Sequence, residues 1–95
     1  MTQENVNVLD IGCGYGYSTY LMQIVLELKI AKKNLKCIPK VYGVDIYKSF
    51  VDWASWMKHD IKTKLNSPEF HCVNLLDDEL SIWNFDFIHS GVAFE

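Results

Sequence analysis

The sequence predicts an α/β fold built on a parallel sheet. Two observations carry this. Short apolar runs alternate with longer stretches of helical spacing, and such alternation implies parallel strands with helices on the faces of the sheet. Three glycines, Gly12, Gly14 and Gly16, alternate directly behind the first apolar run. That is where such a sheet places a ligand turn.

The first strand is read over Asn5–Ile11, with Val6, Val8, Leu9 and Ile11 apolar. A helix follows over Ser18–Lys33. Leu21, Ile24, Val25, Leu28 and Ala31 hold the three-and-four spacing, and Met22, Leu26 and Ile30 widen that stripe into its expected buried face. Lys29, Lys32 and Lys33 suit the last turn, and Asn34 is the expected stop. After a loop ending at Pro39, Val41–Asp45 forms the second strand. Residues 47–66 form the second helix. Ser49 with Asp52 reads as its capping box, and Phe50, Ala54, Met57, Ile61 and Leu65 as its apolar face. Ser67 and Pro68 break that helix. Strands at Glu69–Asn74 and Phe85–Ser90 follow, with a short helical turn between them.

Composition narrows the function. The chain has 95 residues, a net charge of −3 and nine basic residues, all of them Lys. A nucleic-acid partner needs a basic stripe and is not expected. Without Arg there is no bidentate clamp for phosphate or carboxylate. Three cysteines without a C-x-x-C pair argue against a disulfide framework and against structural zinc. The N-terminus is polar and no apolar run reaches bilayer length, so the expectation is a cytoplasmic domain without a membrane partner. His59, His71 and His89 share no metal-ligand spacing. His89 is expected to line the pocket, with Cys13 a small spacer in the turn. Trp53 and Trp56 are expected to flank the core face of the second helix, and Asp77, Asp78 and Glu79 to form a solvated helix start.

The glycine spacing selects the ligand. A dinucleotide fingerprint needs a third glycine at position 17 or 19, which are Tyr and Thr. No Walker lysine follows either. Asp10, just before the turn, repels phosphate but suits an amine or a sulfonium. Asp45, ending the second strand, suits ribose hydroxyls. A ribose, an adenine-like ring and a cationic tail without pyrophosphate describe S-adenosylmethionine. An NAD-binding half-domain is a weaker reading, and so is a ligand-free structural turn, against which Asp10, the alternating glycines and Asp45 together speak.

"VLDIGCGYG" resembles the first motif of the class I S-adenosylmethionine-dependent methyltransferases. "VYGVDI" resembles their second motif and "FHCVNLLD" their third, with Asn74 where an aspartate is usual. Within that superfamily, "GYGYSTYL", "VDIYKSFVDWA" and "FDFIHSGVAFE" resemble the protein-L-isoaspartate O-methyltransferases. The resemblance implies a Rossmann-like sheet in the order 3-2-1-4. It implies that Asp10, Gly12, Cys13 and Gly14 surround the methionine part of the cofactor, with Gly16 in the same turn. It further implies Asp45 on the ribose, Ile46 against the adenine, and Asn74 and Leu75 at the adenine edge. The implied substrate is a protein or peptide bearing an isoaspartyl carboxylate. The family's acceptor loop before the first motif and its later strands have no counterpart in residues 1–95. The expectation is therefore one cofactor-binding domain truncated at both ends. Its fourth strand would be an exposed edge open to self-association. The alternative is an inactive remnant or interaction module that keeps the fold.

Overall fold

The computed structural model describes residues 4–57, 67–74 and 85–90. Four strands and two helices follow in chain order: β1 (Glu4–Ile11), α1 (Tyr17–Lys32), β2 (Cys37–Asp45), α2 (Lys48–Trp56), β3 (Glu69–Cys72) and β4 (Phe87–Ser90). The sheet runs β3-β2-β1-β4 and every described pairing is parallel, as the alternating pattern predicts. The expected short helical turn between the last two strands, and residues 58–66 of the second helix, lie outside the described residues.

Register aligns the carboxyl ends. Ile11 pairs with Val44 and with Ser90, and Asp45 pairs with Cys72. Side chains alternate across a strand, so neighbours in sequence serve opposite faces. Gly43 and Gly16 face the helices. A methyl group on Gly43 would meet Thr19 of α1 and Phe70 of β3, and one on Gly16 would meet Ala54 of α2 and Phe70. Cys13, Tyr20, Val51, Ala54, Met57 and Phe70 form the core on that face. Leu9, Val44 and Val73 form a second core on the other, with Ile11, Tyr42 and Phe85 against it.

β2 is longer than its apolar run suggests, beginning at Cys37 and taking Pro39 into the strand. The Pro39 carbonyl points away from β1, so the missing N–H of the proline removes no bond to that strand. β3 pairs only with residues 42–45 of β2. Beyond its end, the buried amide of Gln23 takes its place. Gln23 Nε2 donates to the Pro39 carbonyl at 2.8 Å, and Val41 N–H donates to Gln23 Oε1 at 2.9 Å.

This pairing corrects the expected face of α1. Its buried residues are Thr19, Tyr20, Gln23 and Glu27. Leu21 and Leu28, expected in the core, are 61% and 56% exposed. Three of the buried residues are polar, yet they are tolerated because their polar atoms are bonded. Thr19 donates to Asp10, and Gln23 also donates to Glu27 Oε1 at 3.0 Å.

The helix ends follow backbone rather than side-chain logic. Asn34 stops α1 as expected, at φ 54°, with Asn34 N–H on the Ala31 carbonyl and Leu35 N–H on the Ile30 carbonyl. That is the Schellman pattern. The capping box expected from Ser49 and Asp52 does not form. α2 starts at Lys48, which puts Ser49 inside the first turn, and Asp52 pairs instead with Lys48 Nζ at 2.7 Å.

Candidate functional site

The turn Gly12–Gly16 sits at the carboxyl ends of β1 and β2. Gly12, Gly14 and Gly16 have φ of 72°, 56° and 92°, a region that glycine enters without penalty. The Gly12 and Cys13 N–H groups both donate to the Val44 carbonyl, at 2.9 and 3.0 Å, which ties the turn to β2. Gly14 lies on the open side. A methyl group there would meet nothing within 4 Å. Gly16 is the closed side, where the same methyl group would stand 2.7 Å from Ala54 Cβ.

Asp45 links this turn to α2. Its Oδ2 accepts the Gly14 N–H at 3.0 Å and its Oδ1 accepts the Tyr47 N–H at 3.0 Å. Both donors are backbone groups, so the carboxylate is fixed in place with lone pairs to spare. The Asp45 backbone carbonyl also holds the residue just past β3, accepting the Val73 N–H at 2.9 Å. Ile46, next in sequence, is exposed, and its carbonyl receives the Cys72 thiol at 3.3 Å. Asn74 is half-buried just past the carboxyl end of β3. Leu75 lies outside the described residues.

Asp10 does not stand where a cationic ligand would meet it. It is 0% exposed. Its Oδ2 accepts the hydroxyls of Ser18 at 2.8 Å and Thr19 at 2.7 Å, and its Oδ1 faces His89 Nδ1 at 3.2 Å. The carboxylate anchors the start of α1 from beneath. Sequence reasoning singled out neither hydroxyl. The signal was present as Ser18 and Thr19 directly behind the last glycine, because a buried carboxylate needs donors within reach.

Cys13 is a buried spacer in the turn, as expected. Burial, and then the charges of Asp45 and Asp10, push its thiol up to about 12. It stays protonated at neutral pH, so it does not act as a thiolate nucleophile. Trp53 and Trp56 are exposed and continue a row of rings beside the turn. Tyr15 packs on Phe50 at 4.6 Å, Tyr47 meets Phe50 at 5.5 Å, and Trp53 meets Trp56 at 5.6 Å. Among the described residues no cluster of metal-ligating side chains forms, and no helix is long and apolar enough to cross a membrane.

The donor set fits an uncharged or cationic nucleoside better than a phosphate ester. The fixed acceptor, Asp45, carries negative charge, and no Lys is bonded to the turn among the described residues. The open face at Gly14 and the exposed Ile46 leave room beside it.

No protein-family model matches this chain, and no curated protein matches it. Solved structures do. PKMT2 from Rickettsia typhi, solved in complex with AdoHcy, superposes on 94% of this chain with a TM-score of 0.64 at 24% identity. A SAM-dependent methyltransferase from Methanosarcina mazei aligns with 77% of it at 32% identity, but its TM-score of 0.45 is too low to weigh. The chain spans 15% of the first protein and 30% of the second. At that level of identity the likeness is one of fold: the chain carries a Rossmann-like parallel sheet, ordered 3-2-1-4, of the kind present in PKMT2.

Proposed function

We propose that this chain binds S-adenosylmethionine at the open ends of β1 and β2, as the cofactor-holding part of a methyltransferase. The observation that carries the reading is the Asp45 carboxylate, fixed by two backbone N–H groups across a glycine turn that is open at Gly14. Asp45 has lone pairs left for the two ribose hydroxyls. Ile46 supplies an apolar face for the adenine, with Asn74 at its edge. Gly12, Cys13, Gly14 and Gly16 shape the backbone along which the methionine part lies. The bound cofactor supplies an activated methyl group to a nucleophile. The AdoHcy complex of PKMT2 supports the same ligand class.

The acceptor reading is a protein carboxylate of the isoaspartyl type. Its support is the resemblance of "FDFIHSGVAFE" to the isoaspartyl enzymes. An ionised carboxylate is already a nucleophile, so alignment and exclusion of water do most of the work.

Calorimetric titration with S-adenosylhomocysteine tests the cofactor reading. Asp45→Ala should weaken binding about 10- to 100-fold, since a hydrogen bond to a charged group contributes ~1.5–3 kcal/mol. A folded chain that takes up no ligand at millimolar concentration would refute it. Methyl transfer to an isoaspartyl peptide then tests the carboxylate reading of the acceptor.

A further inference from the structure

We propose that His89, held by Asp10, is the base that removes a proton from the methyl acceptor. The purpose assigned to it rests on the proposed binding of S-adenosylmethionine. The geometry does not.

β4 pairs with β1 so that His89 lies level with Asp10. Asp10 has no exposed surface, and both of its oxygens are occupied. Oδ2 takes two hydroxyl donors, from Ser18 and Thr19, which leaves Oδ1 to His89 Nδ1 at 3.2 Å. An ionised carboxylate only accepts hydrogen bonds, so the nitrogen facing it carries the proton. In the neutral ring this fixes the tautomer and leaves Nε2 bare, on the edge of the ring away from Asp10. The imidazole is 53% exposed at the carboxyl end of β4, beside the end of the strand that leads into the glycine turn. A base fixed by a buried carboxylate and open on its far side can receive a proton from an incoming group. Cys13, in the same turn, does not compete for this role, because its thiol remains protonated at neutral pH.

The step is a proton transfer. The N–H or O–H bond of the acceptor breaks, its proton moves to His89 Nε2, and its electron pair stays on the nitrogen or oxygen, which becomes the nucleophile. The imidazolium formed faces the Asp10 carboxylate, which stabilises it. The acceptor class is therefore an amine or a hydroxyl. A carboxylate has no proton to give at neutral pH, so this class differs from the acceptor that the sequence resemblance suggests.

Imidazole 15N NMR of the folded chain without cofactor, at pH 7.5, separates the two. His89→Gln assigns the His89 signals by their loss. The expected result is one proton, on Nδ1, with the shift of a bare nitrogen at Nε2. Asp10→Asn should abolish that preference and move the population towards the Nε2–H form, which free imidazole side chains favour. Ser18→Ala, which removes a different partner of Asp10, should leave it intact. A proton on Nε2 overturns the proposal. So does a proton on both nitrogens, because a cationic His89 would instead suit a carboxylate acceptor. Diethyl pyrocarbonate, which attacks bare imidazole nitrogen, gives a readout on the unaltered chain. It should modify His89, whose imidazole is 53% exposed; a His89 that stays unmodified counts against the base. Neither measurement needs cofactor, so a chain that fails to bind S-adenosylhomocysteine still answers it.

Discussion

Asp10 and Asp45 end adjacent strands and do opposite work. Asp45 is fixed from one side by backbone donors and turns outward, whereas Asp10 is sealed beneath the turn and holds side chains. Sequence spacing identified both carboxylates but not which one is sealed, because that depends on the hydroxyls which the first turn of α1 brings to Asp10. Cys13, between them, gives a pH prediction. Burial and the two carboxylates raise its thiol from 9.0 to about 12, and burial raises the Tyr20 phenol from 10.0 to about 12. For both, the folded state holds the proton more tightly than the unfolded chain. The stability they contribute is fully present below pH 9 and is lost as pH rises through 9 towards 12. Urea midpoints should therefore fall between pH 8.5 and 11, and Cys13→Ala should flatten the early part of that fall. At pH 8, a thiol reagent such as dithionitrobenzoate should label the exposed Cys72 in the native state and spare Cys13 until the chain unfolds.

At the scale of elements, the strands were legible and the inner face of α1 was not. Apolar runs bounded by glycine, proline and polar residues mark β1 to β4, and alternation fixes them as parallel. The apolar stripe of α1 misleads because β2 outruns β3. The unpaired backbone at Pro39 and Val41 is a consequence of tertiary structure, and it selects Gln23 for the buried side over Leu21 or Leu28. No periodicity within α1 carries that information. The energetic consequence is specific. Gln23→Leu keeps the volume but orphans a buried N–H and a buried carbonyl, each at a cost of ~1–3 kcal/mol. Chemical denaturation should show a loss of about 2–6 kcal/mol, large against the usual stability of a folded chain. Gln23→Glu, which keeps the acceptor for Val41 but loses the donor to Pro39, should also destabilise.

For the whole molecule, the glycine turn and the two strand-end carboxylates converge on one rim of the sheet because the described strands all run parallel and their carboxyl ends align. This much followed from the order of elements in the sequence, since strand-to-helix turns in such a sheet share one rim. The rim should therefore respond as a unit to its ligand, and the response should appear in global stability. A ligand that binds only the folded chain stabilises it by RT ln(1 + [L]/Kd), about 2.7 kcal/mol at a hundredfold excess over Kd. For a folded chain of 95 residues, each kcal/mol shifts Tm by roughly 4–8 °C. S-adenosylhomocysteine at that excess should accordingly raise Tm by roughly 10–20 °C in a thermal scan. NAD at the same concentration should leave Tm unmoved, because its pyrophosphate finds the Asp45 carboxylate and, among the described residues, no basic side chain bonded to the turn. Asp45→Ala should lose most of the shift at fixed ligand concentration, while His89→Gln reports only on the acceptor side and is scored by its NMR signature. A Tm raised equally by NAD and by S-adenosylhomocysteine would mean that the turn reads the adenosine alone, and the preference for an amino-acid tail over a pyrophosphate would have to be given up.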